Sequence, residues 1–441
     1  MSAHAIAYDP VAHRPARRRY AWSVFAILFA LMVVDYVDRQ VVVSMFPHLK
    51  AAWDLSDRQL GALVSVVSVT VALGAVPLSL LADRWSRVKS IFIMAVVWSL
   101  ATIACAFAGS YAQLLGARSF VGLGEAAYGT VGAALLASLF PLRMRSTVLG
   151  GFLAAATLGS VLGVMLGGFI AQRWGWQAGF GAVGTPGLVL AFLFLLMVRD
   201  YKTVSLGSTA SSAAKPRLSA RTVMTELLRP RTALVTCVGA GLNLLVISTT
   251  YSWLPSYFNR YYGLAPDHAG VKTALVVLVG GLGALLWSVV ADRLTSRLPR
   301  ARLLVPAVAA VMTTVFMFAA FAWFPPGNAQ FGLILAGGLM MAGSVGPTDA
   351  VVIDVIHPGL RATGVSILSL TRNLFGLAAG PFLTGALSDA YGLRAAMTVV
   401  PVFCLAAAAL FLLASRSYLT DLKRVAGLES ATRDELDPSA T

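Results

Sequence analysis

Apolar residues run in twelve stretches of about twenty or more, each closed by a short cluster of charged or turn-forming residues. Crossing ~30 Å of hydrocarbon takes about 20 residues of helix. The stretches are 20–46, 58–81, 90–109, 112–139, 146–171, 177–198, 232–258, 271–290, 302–323, 328–355, 362–387 and 394–415. A chain in lipid must satisfy its own backbone hydrogen bonds, so such spans are helices. The pattern predicts an all-α membrane protein with twelve transmembrane helices. One interval breaks the rhythm: 199–230 is polar and basic, with Ser205, Ser208, Ser211, Ser212 and Pro216. It reads as a cytoplasmic linker between two six-helix bundles at 20–198 and 231–415, with a short surface helix near 219–229. Tails at 1–19 and 416–441 complete the layout.

Composition agrees with this reading. Residues are 58% hydrophobic and 12% charged, where a soluble protein carries about 25% charged. The net charge of +15 would suggest nucleic acid in a soluble domain, but here the basic residues lie in short loops between apolar spans. They are also unevenly placed. With the N-terminus inside, the inner loops and tails hold 25 Lys and Arg and the outer loops 6, leaving Arg39, Arg118 and Arg372 within spans. The bias puts both termini in the cytoplasm, in a cell-membrane protein expected to act as a monomer. The first apolar stretch is too long for a secretory signal of ~7–15 apolar residues, so it is expected to be a retained span.

The halves echo each other. Ala82-Asp83-Arg84 after span 2 recurs as Ala291-Asp292-Arg293 after span 8, and Arg145-Ser146-Thr147 recurs as Arg361-Ala362-Thr363. Gly159, Gly163 and Gly167 in span 5 are matched by Gly376, Gly380 and Gly385 in span 11, and the offsets lie between 209 and 217 or close by. Repeated halves with a site at their interface are a transporter design. Small residues four apart also let helices approach closely.

Charged groups inside the spans carry the candidate chemistry. An ionisable side chain at the bilayer centre costs about 2.5–3.5 kcal/mol or more, and such groups mark ion, proton and substrate pathways. Asp38 in span 1 and Arg118 in span 4 fall at comparable depths, and Glu125 is seven residues beyond Arg118 on nearly the same face. A pairing of Asp38 with Arg118 keeps the carboxylate ionised, and its loss in a desolvated site favours protonation. Asp38, Arg118, Glu125 and the neighbouring Asp35 are therefore the expected proton-coupling group. Arg39 and Asp35, four apart, are expected to pair along one helix. Arg372 in span 11 either binds an anionic head group or pairs with Asp349 of span 10. Tyr128, Asn243 and Asn373 are further candidate cargo contacts. Trp253 and Tyr257 are expected to anchor at the outer interface. The charged loops, Asp83, Arg84 and Arg87 with Arg145 in one half and Asp292, Arg293 and Arg361 in the other, are candidate gates.

Several of these strings resemble the major facilitator superfamily. Ser79-Leu80-Leu81-Ala82-Asp83-Arg84-Trp85-Ser86-Arg87 is similar to its signature after the second helix, with serine where glycine is usual at Ser79 and Ser86. Gly159-x-x-x-Gly163-Val164-x-x-Gly167-Gly168 looks like its antiporter motif, with Val164 where proline is expected. Asp35-Tyr36-Val37-Asp38-Arg39 and the run from Arg118 through Gly122, Gly124 and Glu125 to Tyr128 resemble the Spinster-like branch. Asp35 stands where that branch commonly has Asn. The first string is shared with organic-anion symporters. The resemblance implies a proton-coupled carrier working by rocking of two bundles, with vertebrate relatives moving lysolipids or sphingosine 1-phosphate.

The function expected is thus proton-coupled secondary transport of an organic anion or an anionic amphipath such as a lysolipid. A proton-driven symporter of small organic acids is the rival, and a membrane receptor or sensor that moves no cargo is the alternative from another class. An enzyme is not expected, since no nucleophile–base pair, metal cluster or phosphate-cradling loop is present. No cofactor is expected. Cys105, Cys237 and Cys404 each lie alone in an apolar segment and no histidine falls mid-membrane.

Overall fold

A computed structural model describes residues 18–199, 225–227, 229–357 and 360–436. Most of the expected linker and its surface helix lie outside the described residues. Among the described residues the chain is helical, without strands. Spans 1 to 6 are Arg18–Ser44, Asp57–Arg84, Arg87–Ala106, Tyr111–Leu139, Thr147–Trp174 and Trp176–Met197. Spans 7 to 10 are Arg231–Tyr262, Pro266–Thr295, Ala301–Ala322 and Asn328–Val355, and span 12 is Leu393–Val425. Span 11 is composite, running Arg361–Thr371, Arg372–Ala378 and Ala379–Tyr391, the middle piece a π-turn. The last helix continues as far as Leu436.

Local chemistry explains the ends. Ser56 caps span 2 by accepting from the Gln59 amide, while the Gln59 side chain returns to the Ser56 amide, a reciprocal capping box. Ser86 and Ser110 cap spans 3 and 4 one way, their side chains accepting from the amides of Lys89 and Gln113. Spans 6 and 12 begin directly after Gly175 and Gly392, at φ of 82° and 84°, which a side chain would disfavour.

Spans 4 and 10 break at matching places. Span 4 is interrupted at Ala126–Ala127 and restarts at Tyr128; span 10 passes through a 3₁₀ turn at Ala342–Ser344. The repeat therefore extends to its irregularities, and such departures from the α-helix often mark functional positions.

The bundle has a basic end, carrying the arginine-rich loops, and an opposite end that we call the far end. The halves meet along spans 2 with 11 and 5 with 8. At the far end this packing is backbone on backbone: Gly61 lies on the Pro381 carbonyl, Gly385 on Asp57, and Gly168 on Pro266. Trp253 and Tyr257 differ from their expected role at the interface. Both are fully buried; Trp253 donates to the Pro381 carbonyl at 3.1 Å and packs against Phe46 with the rings tilted, and Tyr257 accepts from Gln330 at 2.9 Å. Span 7 is a central helix here: Trp253 meets Phe46 across the seam between halves, while Tyr257 packs on Phe321 within the C-terminal half.

Candidate functional site

Span 1 is held by glycines. Gly159, Gly163 and Gly167 of span 5 sit against the carbonyls of Val33, Val37 and Val41, so the two backbones touch and the turn carrying residues 35 to 40 is rigidly placed. Span 4 is seated similarly: Gly122 lies on Val67 of span 2 and Gly124 on Trp98 of span 3. These contacts bring Arg118 and Glu125 beside span 1.

Two ion pairs result. Arg118 Nη1 is 3.4 Å from Asp38 Oδ2, with both side chains essentially unexposed; Nη1 also donates to the Asp38 carbonyl and Nε to the Leu63 carbonyl, each at 3.4 Å. Glu125 pairs with Arg39, Nη2 to Oε2 at 2.9 Å, and Asp35 lies 3.7 Å from the same guanidinium. The local Asp35–Arg39 contact is thus present but is the longer of the two. Three carboxylates share two guanidiniums. Asp35 Oδ1, Asp38 Oδ1 and Glu125 Oε1 are buried and accept no hydrogen bond among the described residues, which is uncommon for buried polar atoms.

Beside this cluster, between the halves, lies a cavity of ≈ 380 Å³. The N-terminal half contributes Tyr36, Arg39, Gln40, Ser68 and Arg118. The C-terminal half contributes a largely apolar wall that includes Leu244, Ile247, Val277, Val345 and Leu377. Arg39 is the member that sequence reading placed in a purely local role. Its guanidinium is partly exposed to the cavity while Glu125 is enclosed behind it.

The cargo contacts expected from sequence lie elsewhere. Arg372 pairs with Asp349 at 2.7 Å and donates to Thr348 Oγ1 and the Val345 carbonyl, bracing the restart of span 10. Tyr128 donates to the Leu28 carbonyl at 2.8 Å, Asn243 to the Met341 carbonyl at 2.8 Å, and Asn373 to the Ser369 carbonyl at 2.9 Å. None of the four is among the residues lining the cavity; each has its polar group engaged within the protein.

At the basic end, Asp83 pairs with Arg87 at 2.8 Å, and Arg84 and Arg293 are exposed. Asp292 pairs with Arg302 at 3.1 Å, which also holds Asp354 at 2.6 Å. Arg145 donates to the Phe140 carbonyl and Arg361 to the Ile353 carbonyl, at 3.3 and 3.2 Å. At the far end a network absent from the sequence reading joins the halves. Asp57 forms two bonds with Arg260, at 2.6 and 2.7 Å, and also receives Lys50 and the Ser388 hydroxyl. Asp389 accepts from the backbone amides of Asp57 and Arg58, at 2.7 and 2.9 Å, a carboxylate on the positive end of span 2.

The Major Facilitator Superfamily model matches residues 28–379. The chain belongs to the major facilitator superfamily. Within it, similarity is to the Spinster branch. Protein spinster homolog 1 of Xenopus laevis is 26% identical over 83% of this chain and 72% of its own length. The sphingosine-1-phosphate transporter SPNS2 of Mus musculus is 26% identical over 82% and 69%. The hexuronate transporter of Bacillus subtilis is 24% identical over 84% and 88%. The fold matches the crystal structure of a bacterial homolog to human lysosomal transporter, Spinster, in an inward-facing and unoccupied conformation, with a TM-score of 0.83 at 23% identity over 92% of this chain and 99% of that one. This superfamily member is a Spinster-like transporter and not an enzyme.

Proposed function

We propose that this transporter couples protons to the movement of an organic anion or anionic amphipath by alternating access. The observation carrying the proposal is that Arg39 lines the central cavity while its nearest partner, Glu125, is enclosed behind it. An anionic group entering the cavity competes with Glu125 for the guanidinium, whose planar fork suits carboxylate and phosphate. A carboxylate that loses its partner in a desolvated site is costly. A proton taken up by Glu125 removes that cost, so anion and proton bind together and travel together. Asp35 and the Asp38–Arg118 pair complete the coupling group, and the count of three carboxylates to two guanidiniums leaves room for one proton in a neutral cluster.

The basic end is assigned to the cytoplasm by its Lys and Arg excess. The seal around Asp57 then makes this the state closed to the outside. Asp83, Arg84, Arg87, Arg145, Asp292, Arg293 and Arg361 are assigned to closing the cytoplasmic face in the opposite state. The apolar C-terminal wall facing a basic N-terminal wall favours an amphipath over a fully polar acid, since each end of such a cargo finds a matching surface.

Flux into proteoliposomes tests this, with lysolipid and organic-acid panels and with or without a pH gradient. Uptake that follows an inward proton gradient and falls at least tenfold in Arg39→Gln supports the reading. Uptake indifferent to both the gradient and Arg39 rejects it.

A further inference from the structure

The Asp38 carboxyl has two oxygens, and its ion pair uses one of them. Oδ2 faces Arg118 at 3.4 Å, a long contact for a charge pair, while Oδ1 is enclosed and accepts nothing among the described residues. Span 3 offers a donor. Gly124 of span 4 seats on Trp98, and Trp98, Thr102 and Cys105 follow one another at four and three residues along one face. That face brings the Thr102 hydroxyl beside the Asp38 carboxyl, with the Cys105 thiol near both Asp38 and Arg118. Asp38 and Thr102 are both 0% exposed.

Thr102 also departs from the habit of this protein. Threonines within the spans commonly donate to the carbonyl four residues earlier, as Thr250 does to Val246, Thr273 to Ala269 and Thr313 to Ala309. A threonine hydroxyl in a helix satisfies itself most simply in that way. Thr102 Oγ1 makes neither this bond nor any other among the described residues. Two unengaged polar groups therefore stand side by side, where buried groups are nearly always paired. One is an acceptor while ionised; the other both donates and accepts.

We propose that Thr102 is a positioning residue of the coupling group, the partner that takes Asp38 when Arg118 moves away. Ionised, Asp38 receives the Thr102 hydroxyl on Oδ1. Protonated, it donates to Thr102 Oγ1, and the threonine's own hydrogen turns to the Trp98 carbonyl four residues back. One hydroxyl thus serves both protonation states, and the carboxyl keeps its place on span 1 while the ion pair opens and closes. The proposal rests on the reading that Asp38 takes part in proton coupling, and adds to it a residue outside the charged cluster. The other titratable or charged groups facing Asp38 are Arg39 and Asp35 on span 1, Arg118 and Glu125 on span 4, and Cys105 on span 3. Substitution at Thr102 leaves all of these in place.

The test titrates the full chain in lipid nanodiscs by infrared difference spectroscopy, without cargo. The C=O band of protonated Asp38 is the one lost in Asp38→Asn. A hydroxyl gives more to an ionised carboxylate than it takes from the neutral acid. Thr102→Val, with nearly the same shape, is therefore expected to keep Asp38 protonated to a pH about one unit higher. Its band is expected at higher frequency, as for a carboxyl whose proton has no acceptor, and Thr102→Ser is expected to restore both. Thr102→Ala reads the same shift if valine lowers the yield of folded protein. A midpoint unmoved by valine and alanine overturns the role of Thr102 and leaves Asp38 in the coupling group. A shift as large in Thr102→Ser as in Thr102→Val overturns it too, since packing and not the hydroxyl would then be the cause. If Asp38→Asn removes no titrating band, the coupling role of Asp38 falls and the proposal falls with it.

Discussion

Asp57, at the first turn of span 2, and Arg260, at the last turn of span 7, form a two-bond ion pair between the N- and C-terminal halves at the far end of the bundle. The Asp57 side chain is only 3% exposed and Arg260 28%, so the pair is partly screened rather than fully buried. Around it, Asp389 of span 11 holds the opening amides of span 2. The same carboxylate end of span 2 is thus gripped from spans 7 and 11 together. These contacts must separate for the far end to open.

Asp57→Asn removes the charge and leaves Arg260 with a weaker partner. The population open at the far end is expected to rise by about tenfold, since coupling terms of this type are worth ~1–3 kcal/mol. Distances between spin labels at Arg58 and Ala386 would report it. An unchanged distance distribution would show that Asp57 does not latch this end.

Glu125→Gln is expected to uncouple anion binding from pH. On the proposed mechanism the proton enters with the anion, so affinity in the unmodified protein is expected to rise as pH falls, by up to tenfold per unit while one proton is taken up. With Gln in place there is no carboxylate to protonate and affinity becomes flat in pH. Calorimetry in buffers of different ionisation enthalpy should count about one proton per anion in the first case and none in the second.

The Asp38–Arg118 pair gives a test of structure against coupling. Arg118→Gln leaves a buried carboxylate without its cation, and breaking a buried pair from one side costs ~3–5 kcal/mol. Asp38→Asn with Arg118→Gln should recover part of that loss, as measured by thermal denaturation in detergent. Asp38→Asn alone is expected to leave a folded protein whose flux no longer responds to a proton gradient; retained coupling would remove Asp38 from the mechanism.

Glycines divide by their surroundings. Gly163→Ala would press a methyl group onto the Val37 backbone, at a cost of ~1–3 kcal/mol, with a lower Tm and less folded protein. Gly116→Ala meets nothing within 4 Å and is expected to be neutral or stabilising by ~0.5–1 kcal/mol. Similar Tm losses for both would mean that close approach of spans 1 and 5 is not what Gly163 provides.

Arg372→Gln loses the pair with Asp349 and the brace on span 10. Stability is expected to fall by ~1–3 kcal/mol, with anion affinity changed less than threefold. A large loss of affinity at unchanged Tm would return Arg372 to the cargo site.

Legibility in the sequence differed from residue to residue. Asp38, Arg118 and Glu125 stood out because charge inside an apolar run is conspicuous at any register. Arg39 was equally visible, yet Asp35 four residues earlier offered a local explanation, and only the seating of span 4 on Gly122 and Gly124 brought Glu125 closer. Asp57 and Arg260 looked like ordinary loop charges because their attraction is across 203 residues of chain. Trp253 and Tyr257 carried the aromatic signature of an interface belt, which does not distinguish a helix at the rim from one at the centre.

The twelve spans, the duplicated halves and the basic bias at one end were determined by the sequence alone, because hydrophobic length, repetition and loop charge are properties of the chain read in order. Which carboxylate meets which guanidinium, which polar groups face the cavity and which end is sealed were decided only in the tertiary structure. Those depend on helix rotation and on contacts between residues far apart in the chain, and a rotation of one helix by a single residue, about 100°, would exchange a lining group for a buried one.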